Sequence, residues 1–502
     1  MQLAPINTDT FKSKDGNTPN TAALLKESYE NSLNSVHDSD NLPFFQMKTS
    51  DIFKDFFKLI KTSLLISFSF FSNLILLMIN LHFVGRFQDP TLMGGIGLGN
   101  VWINSLGINT IYGLNYGFEI LACKAYGAAN YKLVGLYFKK GLILDTIILV
   151  VFSLLSLFAD KIFIGLGQSI AVSNHLREYV VNALPALYFA AFFDLRAIYF
   201  AAQEVFLAPV IIQIFTTITH YFWCTLFFEY HIKGIAYAMD LSLLINFLLL
   251  EIYTFFFSPR KYSYASWSRE VFSNFWDYIK LTVPIGLTTV LEEFSYEINS
   301  IMAGFMRPDA ILAAHVSLAN LGALFYCLPE GFATGINTYV GIALGEKKEH
   351  KAKRNSIIGF VGAMMIMIIS YSILWVTIDS WVLLLIDHEE VIFLIKKTFF
   401  LFACVGFLDT IQLSFGAVVK VCGKGNLSLI LYLICLYVLA NPLSYILGIT
   451  LDMGLNGIWL GILIGLALLA GLFFIVVLKI NWKKETEMAE FNEEVQEIMA
   501  TV

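Results

Sequence analysis

The chain reads as an all-α membrane protein of about twelve transmembrane helices arranged as two pseudo-symmetric six-helix lobes. Composition is the first observation: 57% of residues are hydrophobic and 14% charged, with a mean hydropathy of +0.69, outside the range of soluble domains. Second, apolar runs of about 20 residues or more recur between Ile52 and Leu478, each long enough to cross a hydrocarbon core of about 30 Å. Third, the halves echo each other. NVWINSLGINTIYGLNYG from Asn100 and NLGALFYCLPEGFATG from Asn320 both begin with Asn, end in glycines four apart, and lead to AYG at Ala125 or ALG at Ala343.

In chain order, residues 1–51 contain NTPN at Asn17 and VHDSD at Val36 and lack a signal-peptide core, so a disordered tail is expected. A first lobe over 52–258 holds helices expected at 53–84, 92–118, 133–159, 175–203, 207–229 and 233–257. A loop over 259–275 leads to a second lobe over 276–480, with helices expected at 276–306, 309–340, 353–384, 390–420, 427–449 and 454–479, and a tail over 481–502. FFD at Phe192 is answered by FLD at Phe407. Six helices per half make the second copy enter from the same side as the first, so the repeats are parallel, as in alternating-access transporters.

Lysine and arginine sort by side. One side carries Lys124, Lys132, Lys139, Lys140, Arg260, Lys261, Arg269, Lys280, Lys347, Lys348, Lys351, Lys353, Arg354, Lys420 and Lys424; the other holds Arg86, Lys161, Arg177, Lys233 and Arg307. This bias puts both termini in the cytoplasm. The net charge of −6, with basic residues confined to short loops, argues against a nucleic-acid partner. All six cysteines fall in or beside apolar spans without a CxxC pair, so neither a metal site nor a disulfide framework is implied.

The seventh span carries Glu292, Glu293 and Glu297, which fall within an arc of about 140° on a helix. An acid at the bilayer centre costs roughly 2.5 to 3.5 kcal/mol, and burial favours its protonated form. Such a face suits a proton carrier or an organic-cation site; the plain alternative is a solvated helix end. Tyr296 on the same helix offers a ring to a cation, with packing as its ordinary role. Asp409 in the tenth span is a second intramembrane acid, with Gln412 one turn on, placed to bond a substrate, the carboxylate or a neighbouring helix. Asp194 is its pseudo-symmetric counterpart, with a structural role as the alternative. Glu330 sits between Pro329 and Gly331, a combination that predicts a kink, and Pro329, Gly331 and Gly335 form a candidate hinge. Glu119 and Lys124 read as a helix-end pair or a loop contact, and His82 and His315 as packing residues.

These segments together resemble the multidrug and toxic compound extrusion (MATE) family, eukaryotic-type. The likeness runs from about residue 55 to 480 and rests on GLGN at Gly97 with GLNYGFEILACKAYGAAN at Gly113, LAAHVSLAN at Leu312 with LPEGFATG at Leu328, and LDTIQ at Leu408 followed by CGKG. The resemblance implies the MATE fold and export of organic cations, xenobiotics or metabolites against inward H⁺ or Na⁺. The family's seventh-helix E-aromatic-aromatic-x-x-E pattern maps onto Glu292 and Glu297, with Glu293 replacing the first aromatic; its tenth-helix acid maps onto Asp409 and Gln412. Many bacterial relatives carry Asp where this chain has Asn80, five residues before Gly85, which argues against first-lobe coupling of that type.

The sequence therefore predicts an antiporter and not an enzyme: no nucleophile motif or phosphate loop stands out, and no cofactor is called for. A lipid-linked sugar flippase, which needs cationic groups in its cavity, and an ion channel remain as alternatives. The expected partners are a small organic cation, the coupling ion and the bilayer of a plasma or vacuolar/vesicular membrane, with the chain acting as a monomer.

Overall fold

The computed structural model describes residues 41–43, 48–87, 89–257, 263, 267–308, 310–385 and 388–489, all helix, turn or coil, with no strand among them. Most of the expected tail over 1–51 and parts of the 259–275 loop and the 481–502 tail lie outside the described residues. The spans are α1 (Thr49–Val84), α2 (Pro90–Val101, Trp102–Ile108 and Asn109–Gly127), α3 (Tyr131–Ser156), α4 (Ile170–Asn182 and Leu184–Ala201), α5 (Leu207–Phe227) and α6 (His231–Phe257). The second set is α7 (Phe275–Gly304), α8 (Ala310–Gly345), α9 (Glu349–Leu385), α10 (Glu389–Val421), α11 (Gly425–Thr450) and α12 (Gly454–Leu478).

Length and apolarity alone pick out eight membrane-crossing helices among the described residues, or nine with α3 and its bent continuation Ala159–Gly165. One of the eight, Leu207–Phe257, is 51 residues long, far more than one crossing needs. It folds back at Phe228–Tyr230, where His231 takes a φ of 52°, and so supplies both α5 and α6. The last two, α2 and α7, are diluted by Asn, Gly and Lys in one and by its acids in the other. Apolar side chains such as Ile218 (70% exposed), Val376 (81%) and Val438 (71%) point out of the bundle toward lipid.

The two lobes repeat down to single hydrogen bonds. At the end of α2, Asn130 N donates to Ala125 O at 2.9 Å, and at the end of α8, Lys348 N donates to Ala343 O at 2.9 Å. Each turn is closed by a left-handed residue, Ala129 at φ 60° and Lys347 at φ 61°, the conformation that lets a helix end satisfy its last carbonyls. Farther along, Asn80 of α1 accepts from His220 Nε2 of α5 at 2.8 Å, and Asn299 of α7 donates to Asn441 Oδ1 of α11 at 3.0 Å. In α11, Pro442 lacks a backbone donor, and π-helical turns at Leu433–Ala440 and Ile446–Thr450 flank it.

Apolar clusters show where the lobes meet. Ile120 packs with Ile285, Ala333 and Ile336, and Leu59 with Phe332 and Tyr339, all in the halves nearest the lysine-rich loops. In the opposite halves, the cluster around Phe83 and Ile96 draws only on the first lobe and that around Ala303 and Trp459 only on the second. The basic ends are therefore shut and the other ends separate. Glycine permits the closure: a Cβ on Gly113 would lie 2.6 Å from Gly286 O, so α2 and α7 touch backbone to backbone. Asp55 of α1 and the fully buried Arg354 of α9 form an ion pair at 2.9 Å across the same seam. This packing also explains two differences from expectation. The sequence reading ends α2 at 118 and α8 at 340, but both helices run on to Gly127 and Gly345, because their small and polar last turns are buried by the opposite lobe.

Candidate functional site

The acidic stripe of α7 faces the inside of its own lobe. Glu292, Glu293, Tyr296 and Glu297 line a cavity of about 290 Å³ closed by α8, α9, α10 and α12. Asp409 of α10 lines the same cavity, so the tertiary fold brings together acids that are 112 to 117 positions apart in the chain. Glu292 and Asp409 are the most deeply set, at 6% and 7% exposure. Among the described residues, no lysine or arginine lines this cavity.

Each deep acid has dedicated partners. Tyr296 OH donates to Asp409 Oδ2 at 2.8 Å, while Asp409 Oδ1 is buried with no hydrogen-bond partner. Gln412 does not line the cavity. It is fully buried behind it and donates from Nε2 to Glu292 Oε1 at 2.6 Å. Tyr432 of α11 completes the group, its hydroxyl 2.7 Å from Gln412 Oε1 and 3.2 Å from Glu292 Oε2. A glutamine held by a tyrosine presents a fixed donor to the carboxylate, which orients it toward the cavity.

Aromatic rings from Tyr326, Tyr371, Phe402 and Trp459 line the remaining walls. His315, read from sequence as a packing residue, also lines the cavity, with Ser300 Oγ 3.2 Å from its Nε2 and its Nδ1 unpartnered. None of these was read from the sequence as a site residue. One signal was present: His315, Ala319, Gly322, Ala323 and Tyr326 recur at helical spacing along an otherwise apolar span, the mark of one face turned away from lipid. Tyr432 had no such signal, being one of 23 tyrosines.

The secondary candidates lie elsewhere. Asp194 accepts from Asn115 Nδ2 at 2.8 Å and lines a separate first-lobe cavity of about 90 Å³ with Tyr112 and Tyr116. Arg196, two residues on, pairs instead with Glu251 at 2.7 Å on the opposite face. Glu330 is outside the second-lobe cavity and accepts from Tyr116 OH of α2, across the seam. Pro329 does line the cavity, and α8 continues as a helix through it. Gly331 and Gly335 lie directly against Ser67 and Ser63 of α1. Glu119 accepts across the seam from Thr338 Oγ1 of α8 at 2.9 Å. No group of three or more His, Cys, Asp or Glu among the described residues is arranged to hold a metal ion.

Comparison with known proteins agrees with this architecture. The MatE family model matches residues 66–226 and 284–446, one segment in each half. Multidrug and toxin extrusion protein 1 of Danio rerio is 26% identical over 406 residues, covering 80% of this chain and 68% of that one. Protein DETOXIFICATION 49 of Arabidopsis thaliana is 24% identical over 420 residues, covering 82% and 83%. Among solved structures, the eukaryotic MATE transporter AtDTX14 superposes with a TM-score of 0.82 at 21% identity, over 88% of this chain and 99% of that one. An outward-facing multidrug resistance MATE transporter superposes at 0.77 and 17% identity, over 87% and 97%. With a family model matched across both halves of a twelve-helix, two-lobe bundle, the chain belongs to the MatE family of multi-pass membrane transporters.

Proposed function

We propose that this protein exports organic cations, including xenobiotics or cationic metabolites, in exchange for protons by alternating access. The observation that carries the reading is the second-lobe cavity: four carboxyl groups and several aromatic rings, with no lysine or arginine on its walls. Its size suits a small organic molecule, and rings beside carboxylates suit a cation. Glu292, Glu297 and Asp409 form the shared site, Gln412 and Tyr296 hold two of its carboxyls, and Glu293 adds negative charge. A proton and a cationic substrate compete for this site, so a proton arriving down its gradient displaces the cation. The names of relatives such as multidrug and toxin extrusion protein 1 of Danio rerio support the substrate class. The absence of lysine and arginine from the cavity walls, among the described residues, disfavours a pyrophosphate-linked lipid as cargo.

Uptake of a fluorescent organic cation into inside-out vesicles tests the reading. Accumulation is expected when the vesicle interior is acid and is expected to collapse with the pH gradient, whether or not Na⁺ is present. Accumulation driven by a Na⁺ gradient alone would make Na⁺ the coupling ion, and none under either gradient would overturn exchange.

The orientation proposed from the basic residues places both termini and the shut ends of the lobes in the cytoplasm, in a plasma or vacuolar/vesicular membrane, with the monomer as the working unit. A cysteine at Glu349 is then expected to react with an impermeant reagent only from the cytoplasmic side, and one at Asp452 only from the other. The inverse pattern would reverse the topology. Ser266, an equivalent cytoplasmic position by sequence, lies outside the described residues.

The Pro329, Gly331 and Gly335 segment is proposed as the hinge of α8, since it touches the cavity on one side and α1 on the other. Pro329→Ala restores a backbone donor and is expected to slow turnover by about tenfold with substrate affinity little changed. Unchanged turnover in a vesicle assay would remove the hinge.

A further inference from the structure

Several intramembrane carboxyls, Asp194 and Glu330 among them, have no place in the second-lobe cavity, and one of these bears on closure of the lobes. Glu119 of α2 is 0% exposed and sits in the seam between lobes, where Thr338 Oγ1 of α8 donates to its Oε1 at 2.9 Å. Its second oxygen, Oε2, is buried and without any donor. Asn337, the next residue of α8, presents an Oδ1 that is likewise buried and unpartnered. Glu119 Oε2 is thus a fully buried acceptor that no donor reaches in hydrogen-bond geometry. Water has little room to supply one: a Cβ on Gly341 would lie 2.9 Å from Cys123 Cβ, and Gly345 meets the backbone of Lys124. The ionisable groups facing Glu119 are Tyr116 and Cys123 on α2, Asp194 on α4 and Lys420 on α10, and among the described residues none forms an ion pair with it.

An ionised Glu119 in the shut seam has the Thr338 hydroxyl and the neighbouring Asn337 amide to support it and, among the described residues, no counter-ion in contact, an unfavourable state for a buried charge. A protonated carboxyl is neutral and carries no buried charge into the seam. We propose that Glu119 is a proton-binding site separate from the cavity acids, occupied while the basic ends are shut and emptied into the water on that side as the lobes part. The proposal rests on the alternating-access reading and adds to it. The site carries no proton across the membrane; it makes closure of the basic ends depend on proton uptake from the side they face.

The sign follows from linkage. The shut form binds one more proton than the open form, so raising pH on the basic side favours opening. The open-to-shut ratio rises about tenfold per pH unit while the exposed carboxyl stays ionised.

Cys123 is a built-in reporter, since it is 0% exposed in the shut seam. With the other native cysteines replaced, its labelling by an impermeant maleimide is measured from the basic side in inside-out vesicles between roughly pH 6 and 8. Dividing by the rate of a cysteine placed at Glu349 cancels the ionisation of the thiol. The normalised rate is expected to rise about tenfold per pH unit in the parent and to be slow and flat in Glu119→Gln, whose amide keeps the size but cannot release a proton. Thr338→Val, which removes the donor and leaves the carboxyl, is expected to label faster at every pH with the slope retained. A flat parent profile, an undiminished slope in Glu119→Gln, or no acceleration in Thr338→Val each overturns the proposal. Glu292→Gln separates it from the cavity reading: exchange is expected to fail there while the Cys123 slope persists, and loss of that slope would place the proton-linked group in the cavity.

Discussion

Glu292→Gln and Asp409→Asn are each expected to abolish proton-driven transport. An amide preserves size but cannot cycle a proton. Both carboxyls are nearly fully buried beside a cavity and each has a fixed partner, Gln412 for one and Tyr296 for the other, so neither change opens a void. Glu293→Gln, at a half-buried wall position, is expected to cost less. Asn80→Ala serves as the contrast. Asn80 lies in a closed first-lobe knot, accepting from His220 Nε2 at 2.8 Å; losing it strands a buried histidine at a cost of about 1–3 kcal/mol in stability but leaves coupling intact. The measurement is initial transport rate against external pH for the four variants at matched surface expression. Wild-type pH dependence in the Glu292 and Asp409 variants, with its loss in Asn80→Ala, would move coupling to the first lobe.

Gly113→Leu is the second large effect expected, and it acts where no acid is involved. Gly113 and Gly286 bring α2 and α7 into backbone contact, and even a Cβ at Gly113 would lie 2.8 Å from Gly286 Cα. A leucine there holds the basic ends apart at a cost of roughly 2–3 kcal/mol to the shut state. That corresponds to a fall in turnover of about 30- to 160-fold if closure limits the cycle. Substrate affinity at the second-lobe cavity is expected to survive, because Gly113 is not among its walls. A fall in affinity with turnover preserved would show that the contact shapes the site and does not gate the lobes.

Much of the fold is legible because membrane spans announce themselves. A helix in lipid satisfies its own backbone, so its length and apolarity are written locally, and the start of α7 at Phe275 and the end of α12 at Leu478 each fall within one residue of the positions read from sequence. The exceptions are instructive. The last turns of α2 and α8 read as loop because Lys124 and the glycines of AYG and ALG are shielded by the partner lobe, and shielding is a property of two segments, not one. Among the residues proposed for the site, Glu292, Glu293, Glu297 and Asp409 stand out because an acid in an apolar span is costly wherever it points. Tyr432, Tyr371 and Trp459 carry no such penalty, and nothing local separates an aromatic facing a cavity from one facing lipid.

The sequence by itself determined that this chain spans the membrane about twelve times, that its halves repeat, and that its second half holds acids at depth, since each follows from the transfer cost of side chains read one helix at a time. Only the tertiary structure decided that Glu292 and Asp409 share one cavity, that Gln412 sits behind it, and that Glu119 meets Thr338 across 219 positions of chain. Those contacts depend on the rotation and depth of each helix in the bundle, which are set by backbone approach at Gly113 and Gly286 and by packing between lobes. Hydropathy is indifferent to both.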